Sequence, residues 1–187
     1  MNFNGYYSNK KLHSLGITDR EIAKQCQKGN LLKIKKGLYR GSKTFINNQN
    51  FIDITHAIPK CVIAGLSALS FYNLTTAIPN YTEIVIPKNY KKPKIWAFKT
   101  KMHNMDINKF KKNIVQIHQG RYSFKIFDIE QTICYSLKYR NIIGVDVLQE
   151  VLRNYVKSKN SNIDKLFRLA NKNHQKTILN KFIMNIL

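Results

Sequence analysis

Between Ser8 and Arg40 the chain is punctuated so closely that few arrangements remain open to it. Ser8 can cap a short helix through about Ser14, with Leu12 and Leu15 turned inward. Gly16-Ile17 breaks it, since glycine readily takes the positive φ of a tight inter-helix turn. Thr18-Asp-Arg-Glu21 follows as a capping box: the Thr18 hydroxyl accepts from the third helical amide, and Glu21 reaches back to the Thr18 N–H. The helix it opens is expected to run to about Lys28 and to stop at Gly29. The next segment alternates apolar Leu32 and Ile34 with basic Lys33 and Lys35, turns at Lys36-Gly37 and returns through Leu38-Tyr39-Arg40. Two short helices joined by a glycine-containing turn, followed at once by a basic hairpin, read as a winged helix-turn-helix.

The polar stretch Gly41 to Asn50 reads as a linker or extended loop, and the texture changes after it. Phe51–Ile58 and Leu66–Tyr72 are expected helices. Cys61–Ala64, Glu83–Ile86, Lys94–Phe98, Ile114–Ile117 and Tyr122–Ile126 are expected strands. From Asp128 the apolar period switches from two to about 3.6. Helices are expected over Asp128–Tyr139 with an Asp-x-x-Gln cap, over about Asp146–Lys157 with Leu148, Val151, Leu152 and Tyr155 inward, and after Asn162 with Ile163, Leu166, Phe167 and Ala170 inward. A last helix carries Ile178, Leu179, Phe182, Ile183 and Ile186. The expected fold class is therefore α+β. A winged helix-turn-helix DNA-binding domain over residues 1–45 precedes a mixed α/β domain over residues 51–187 that ends in a C-terminal helical bundle.

Charge narrows the function. The 187 residues hold 32 Lys and Arg against 10 Asp and Glu, a formal net charge of +22. Self-repulsion on that scale costs stability unless a polyanion or counterions neutralise it, so nucleic acid is the leading partner and a membrane surface the weaker one. Few carboxylates are left for acid–base or metal chemistry, and neither a cofactor nor a metal is expected. Cys26, Cys61 and Cys134 are odd in number and far apart, which suits a reducing compartment. No stretch approaches the roughly 18 apolar residues of a membrane span, and Met1-Asn-Phe-Asn-Gly5 lacks an apolar signal core, so a cytoplasmic location is expected.

On the helix 19–28, Ile22, Ala23 and Cys26 are expected inward, which leaves Arg20, Lys24, Gln27 and Lys28 on the opposite face and Thr18 at its start. Arg reads guanine edges, Gln reads adenine and Lys supplies phosphate or guanine contacts, so this face suits a major groove. Lys33, Lys35, Lys36 and Arg40 on the hairpin suit phosphate or the minor groove. The weaker alternative is a solvated basic face for the helix and, for the hairpin, an edge that uses its lysines to discourage strand pairing. Lysines from Lys88 to Lys101 and from Lys109 to Lys112 suit either further backbone contacts or a solvated basic surface, and Trp96 is expected in the core. Catalytic signals are thin. His13, His56, His103, His118 and His174 are scattered. Gly65-Leu-Ser67 after a strand resembles the start of a nucleotidyltransferase motif, but Glu83 offers one carboxylate where magnesium chemistry requires a pair. The chain is thus expected not to be an enzyme. The competing readings are a nucleotidyltransferase-like enzyme acting through Ser67 and Glu83, and a non-specific RNA-binding module.

Taken in order, Gly16-Ile17-Thr18 and Gly29 to Tyr39 look like the winged-helix start of the AbiEi family, the antitoxins of type IV toxin–antitoxin systems. Cys61 to Leu69, Phe71-Tyr-Asn-Leu74, Ile78-Pro79, Ile84 to Pro87, Asp128 to Thr132 and the helices Val145–Tyr155 and Ile163–Asn171 extend that resemblance over almost the whole chain. It implies a two-domain repressor that binds inverted repeats in its operon promoter and limits toxin expression. It also implies a genetic partner, a nucleotidyltransferase-like toxin, with which no stable complex forms.

Overall fold

A computed structural model describes residues 3–44, 46–95 and 97–184. The described residues form a mixed α+β fold with two sheets. Strand β1 (Tyr6–Ser8) leads into helices α1 (Asn9–Ser14) and α2 (Asp19–Gln27), then into the antiparallel strands β2 (Leu31–Lys35) and β3 (Leu38–Gly41). These strands form a three-stranded sheet of order β1-β3-β2. The caps form where the sequence places them: Ser8 Oγ accepts from Lys11 N at 3.1 Å, and Thr18 Oγ1 accepts from Glu21 N at 3.3 Å. Each such cap stabilises a short helix by about 1 kcal/mol.

The two faces of this sheet do different work, because successive side chains of a strand point to opposite sides. Leu31 and Tyr39 join Leu12, Ile17 and Ile22 in a small core beneath α1 and α2. Ile34 and Leu38 point the other way, into the core around α3 (Gln49–Ala57). A register shift between Lys33 and Lys35 replaces the simple alternation expected for β2: Leu31 and Ile34 are buried, while Leu32 is 39% exposed.

Polar contacts bind the same face to α3. Buried Asp53 pairs with Arg40, accepts from the Tyr6 hydroxyl at 2.5 Å and accepts from Gln49 Nε2 at 3.1 Å. The Tyr6 ring stacks on His56 with centroids 3.7 Å apart. Burial first, and then Asp53, push the Tyr6 phenol above its ordinary range, so it serves as a protonated donor. The first forty residues therefore share a continuous core with α3 and the chain beyond it.

The second sheet has order β6-β5-β4-β8-β7, built from β4 (Val62–Ile63), β5 (Thr82–Pro87), β6 (Thr100–Met105), β7 (Ile114–Gln119) and β8 (Tyr122–Phe127). Helices α3 and α4 (Gly65–Phe71) cover one face through Ile63, Ile84, Ile86, Phe124 and Ile126. Val62, Val85 and Phe127 look to the other, toward Tyr135 and the 3-10 segment Ile107–Asn113. The helices α5 (Ile129–Lys138), α6 (Arg140–Ile143), α7 (Val145–Lys157), α8 (Ile163–Lys172) and α9 (Lys176–Met184) close the chain around buried Leu148, Val151, Leu152, Tyr155, Leu166 and Leu179. Lys165 of α8 ties that helix to the start of α5, reaching Asp128 at 3.0 Å and Glu130 at 2.8 Å.

Several expectations are corrected. The strand expected over Lys94–Phe98 is irregular chain among the described residues, and the strand beside β5 is Thr100–Met105 instead. Pro93 lacks an amide donor, and Ile95 and Phe98 pack onto the core from the loop. Leu15 is 51% exposed rather than inward, because the turn after α1 carries it past the small core. Ile163 is likewise exposed. Trp96 and Ile186 lie outside the described residues.

Candidate nucleic-acid interface

Helix α2 owes its orientation to three residues on its inner side: Ile22 is buried, Cys26 is half-buried, and Gln25 is buried through hydrogen bonds. Gln25 Nε2 donates to Glu21 Oε1 at 2.6 Å, and Gln25 Oε1 accepts from Asn30 Nδ2 at 2.7 Å. The bond to Glu21 replaces the reciprocal half of the expected capping box, since Glu21 reaches along the helix to Gln25. It also keeps the Glu21 carboxylate away from the outer side. Ala23, expected inward, is exposed, and the buried position belongs to Gln25.

The outward stripe of α2 is consequently Arg20, Ala23, Lys24 and Gln27, continued by Lys28, all exposed. These positions follow the three- and four-residue spacing that brings helical side chains onto one line. None of the five is acidic. Asp19, at the helix start, sits 3.0 Å from His13. Thr18 is exposed, with its hydroxyl oxygen engaged at the cap. A row of Arg, Lys and Gln around a small Ala leaves the helix slender enough for a base-pair groove, and the Ala methyl suits a thymine methyl.

The hairpin divides its basic residues. Lys33 and Lys36 are exposed, and Lys33 stands on the α2 side of the sheet, where its charge acts on Cys26. Lys35 and Arg40, expected to reach phosphate, are turned to the body of the protein instead. Lys35 Nζ donates to the Ala57 carbonyl at 2.5 Å, at the negative end of α3. Arg40 is engaged by Asp53. The cause is the two-sided sheet: both residues follow the face that packs on α3. Sequence alternation alone carried no sign of that second face.

At the alternative site, Ser67 and Glu83 are both buried and bonded to one another. Ser67 Oγ donates to the Tyr81 carbonyl at 3.2 Å and accepts from Glu83 N at 2.9 Å. The buried Glu83 carboxylate accepts from Tyr135 Oη at 3.1 Å and lies against Gly65, at the start of α4. His103 Nε2 is 3.3 Å from Glu83 Oε1, without hydrogen-bond alignment. Among the described residues, no three His, Cys, Asp or Glu side chains converge as a metal site. No described helix is long and apolar enough to cross a membrane. No protein-family model matches the chain, and no curated protein matches it either.

Proposed function

We propose that the chain is a DNA-binding transcriptional repressor of the winged-helix class. In this reading it acts as the antitoxin of a type IV toxin–antitoxin pair and represses its own operon by binding inverted repeats in the promoter. The observation that carries the reading is the acid-free exposed stripe Arg20, Ala23, Lys24, Gln27 and Lys28, supported from behind by a packed sheet. Such a helix enters the major groove, while Lys33 and Lys36 at the adjoining hairpin hold phosphates. The net charge of +22 supports a polyanionic partner. The antitoxin role, and a nucleotidyltransferase-like toxin as genetic partner, rest on the resemblance to the AbiEi family.

A promoter–reporter fusion carrying the DNA upstream of the gene tests this. Supplying the protein in trans lowers reporter output, and a variant carrying Arg20→Ala and Lys24→Ala does not. Output that ignores the wild-type protein overturns the reading.

A further inference from the structure

On the sheet face away from α3 lies an open cleft of about 840 Å³, between the 3-10 segment Ile107–Asn113 and the strands β4 and β8. That volume is typical of small-molecule sites, which span roughly 300–1,000 Å³. Its floor is aliphatic, made by Val62, Met105, Ile107 and Ile114. Lys60, Lys88, Lys109, Lys111 and Lys125 line it. All five are exposed, and none forms an ion pair with a carboxylate among the described residues. Asp106 is the one carboxylate in the lining.

Five ammonium groups around one concavity repel each other, and apolar walls focus their potential into it. An anion of several charges relieves that repulsion. The aliphatic floor adds a second requirement, because an inorganic polyanion leaves it wet, whereas a ligand with a flat, weakly polar part covers it. Gln116 and Asn89 at the rim supply amide donors and acceptors of the kind that orient such a ring. The lining contains no aromatic side chain, and stacking platforms are what single-stranded nucleic acid channels use. A lone carboxylate also makes the site one that grips phosphate through ammonium groups directly, without a protein-held magnesium ion.

We propose that this cleft binds a nucleoside polyphosphate, with the phosphates on the lysine rim and the base on the aliphatic floor. The site is separate from the α2 stripe and does not depend on the repressor reading.

Fluorescence anisotropy of a ribose-labelled ATP, titrated with the full chain in EDTA, reads the site directly. Saturable binding is expected, displaced by unlabelled ATP and poorly by tripolyphosphate. The exposed pair Lys60→Glu and Lys125→Glu weakens it about tenfold or more, given the usual strength of charge-assisted contacts. Lys172→Glu with Lys176→Glu, outside the cleft, leaves it unchanged, and both double variants melt with the wild type. Absence of saturable binding, or equal binding by the Lys60 and Lys125 variant, overturns the proposal. Displacement by tripolyphosphate as strong as by ATP overturns it too, since the floor then contributes nothing. So does oligothymidylate that outcompetes ATP and needs the same two lysines, because the cleft is then a single-strand channel.

Discussion

Lys24 stands mid-stripe on α2, one helical turn from Arg20 and from Gln27 and Lys28, with its ammonium in solvent. If it reads a base edge, Lys24→Ala costs about 1–3 kcal/mol on the operator and little on unrelated duplex. Lys36→Ala is expected to behave differently. If its ammonium holds phosphate, its removal weakens every duplex alike and flattens the log–log salt dependence by about one unit. Binding titrations across a salt series separate the two. His103 carries a pH effect of its own. Burial holds it below its ordinary value of 6.5, Glu83 raises it in part, and Lys101 and Lys92 lower it again. Below pH 6.5 the unfolded chain takes up a proton that the folded chain resists, so stability falls with falling pH there and is level above it. His103→Gln lessens the fall of the urea midpoint as the pH drops below 6.5, the remainder coming from His56, which burial lowers likewise; an unchanged slope in the variant contradicts this origin.

At the scale of elements, glycines and caps were legible because their chemistry is local. Ser8, Thr18, Asp128 and Asn162 all cap helices through their side chains, as the sequence around each implies. The strands were legible where β-branched and aromatic residues alternate, as in Tyr122–Phe127. Strand β6 was not, because Thr-Lys-Met-His-Asn-Met is polar and half-buried, as an edge strand can be, and its identity comes from pairing parallel to β5. Strand β1 was missed for a similar reason: three residues, Tyr6–Ser8, take their conformation from β3. Two elements meet at the tight contact between Gly65 and Glu83. A Cβ at Gly65 would collide with the Glu83 carboxylate, and its backbone φ of +54° already disfavours other residues. Gly65→Ala is therefore expected to cost about 2 kcal/mol or more in urea unfolding.

For the whole molecule, the join between the first sheet and α3 was the part the sequence concealed. Polar residues 41–50 suggested a linker, whereas Asp53, 13 residues along the chain from Arg40 and 47 from Tyr6, locks the two parts together. No local pattern announces such a contact, since it depends on two faces that meet only after folding. Asp53→Ala leaves the Arg40 charge, which is mostly buried, and the Tyr6 hydroxyl without their acceptor. It is expected to cost about 3 kcal/mol of stability, recovered in part when Arg40→Leu is added. If the double variant is no better than the single one, the pair is not what joins the two parts. The same join holds the sheet that backs α2, and with it the direction in which the α2 stripe faces. The most direct measurement is the ratio of affinities for the upstream duplex and a scrambled duplex at one salt concentration. Wild type is expected to prefer the upstream duplex strongly, and the combination Arg20→Ala, Lys24→Ala and Gln27→Ala to bring the ratio close to unity while melting normally. Equal binding of both duplexes by the wild type, or a ratio that survives the triple substitution, would contradict groove reading by α2.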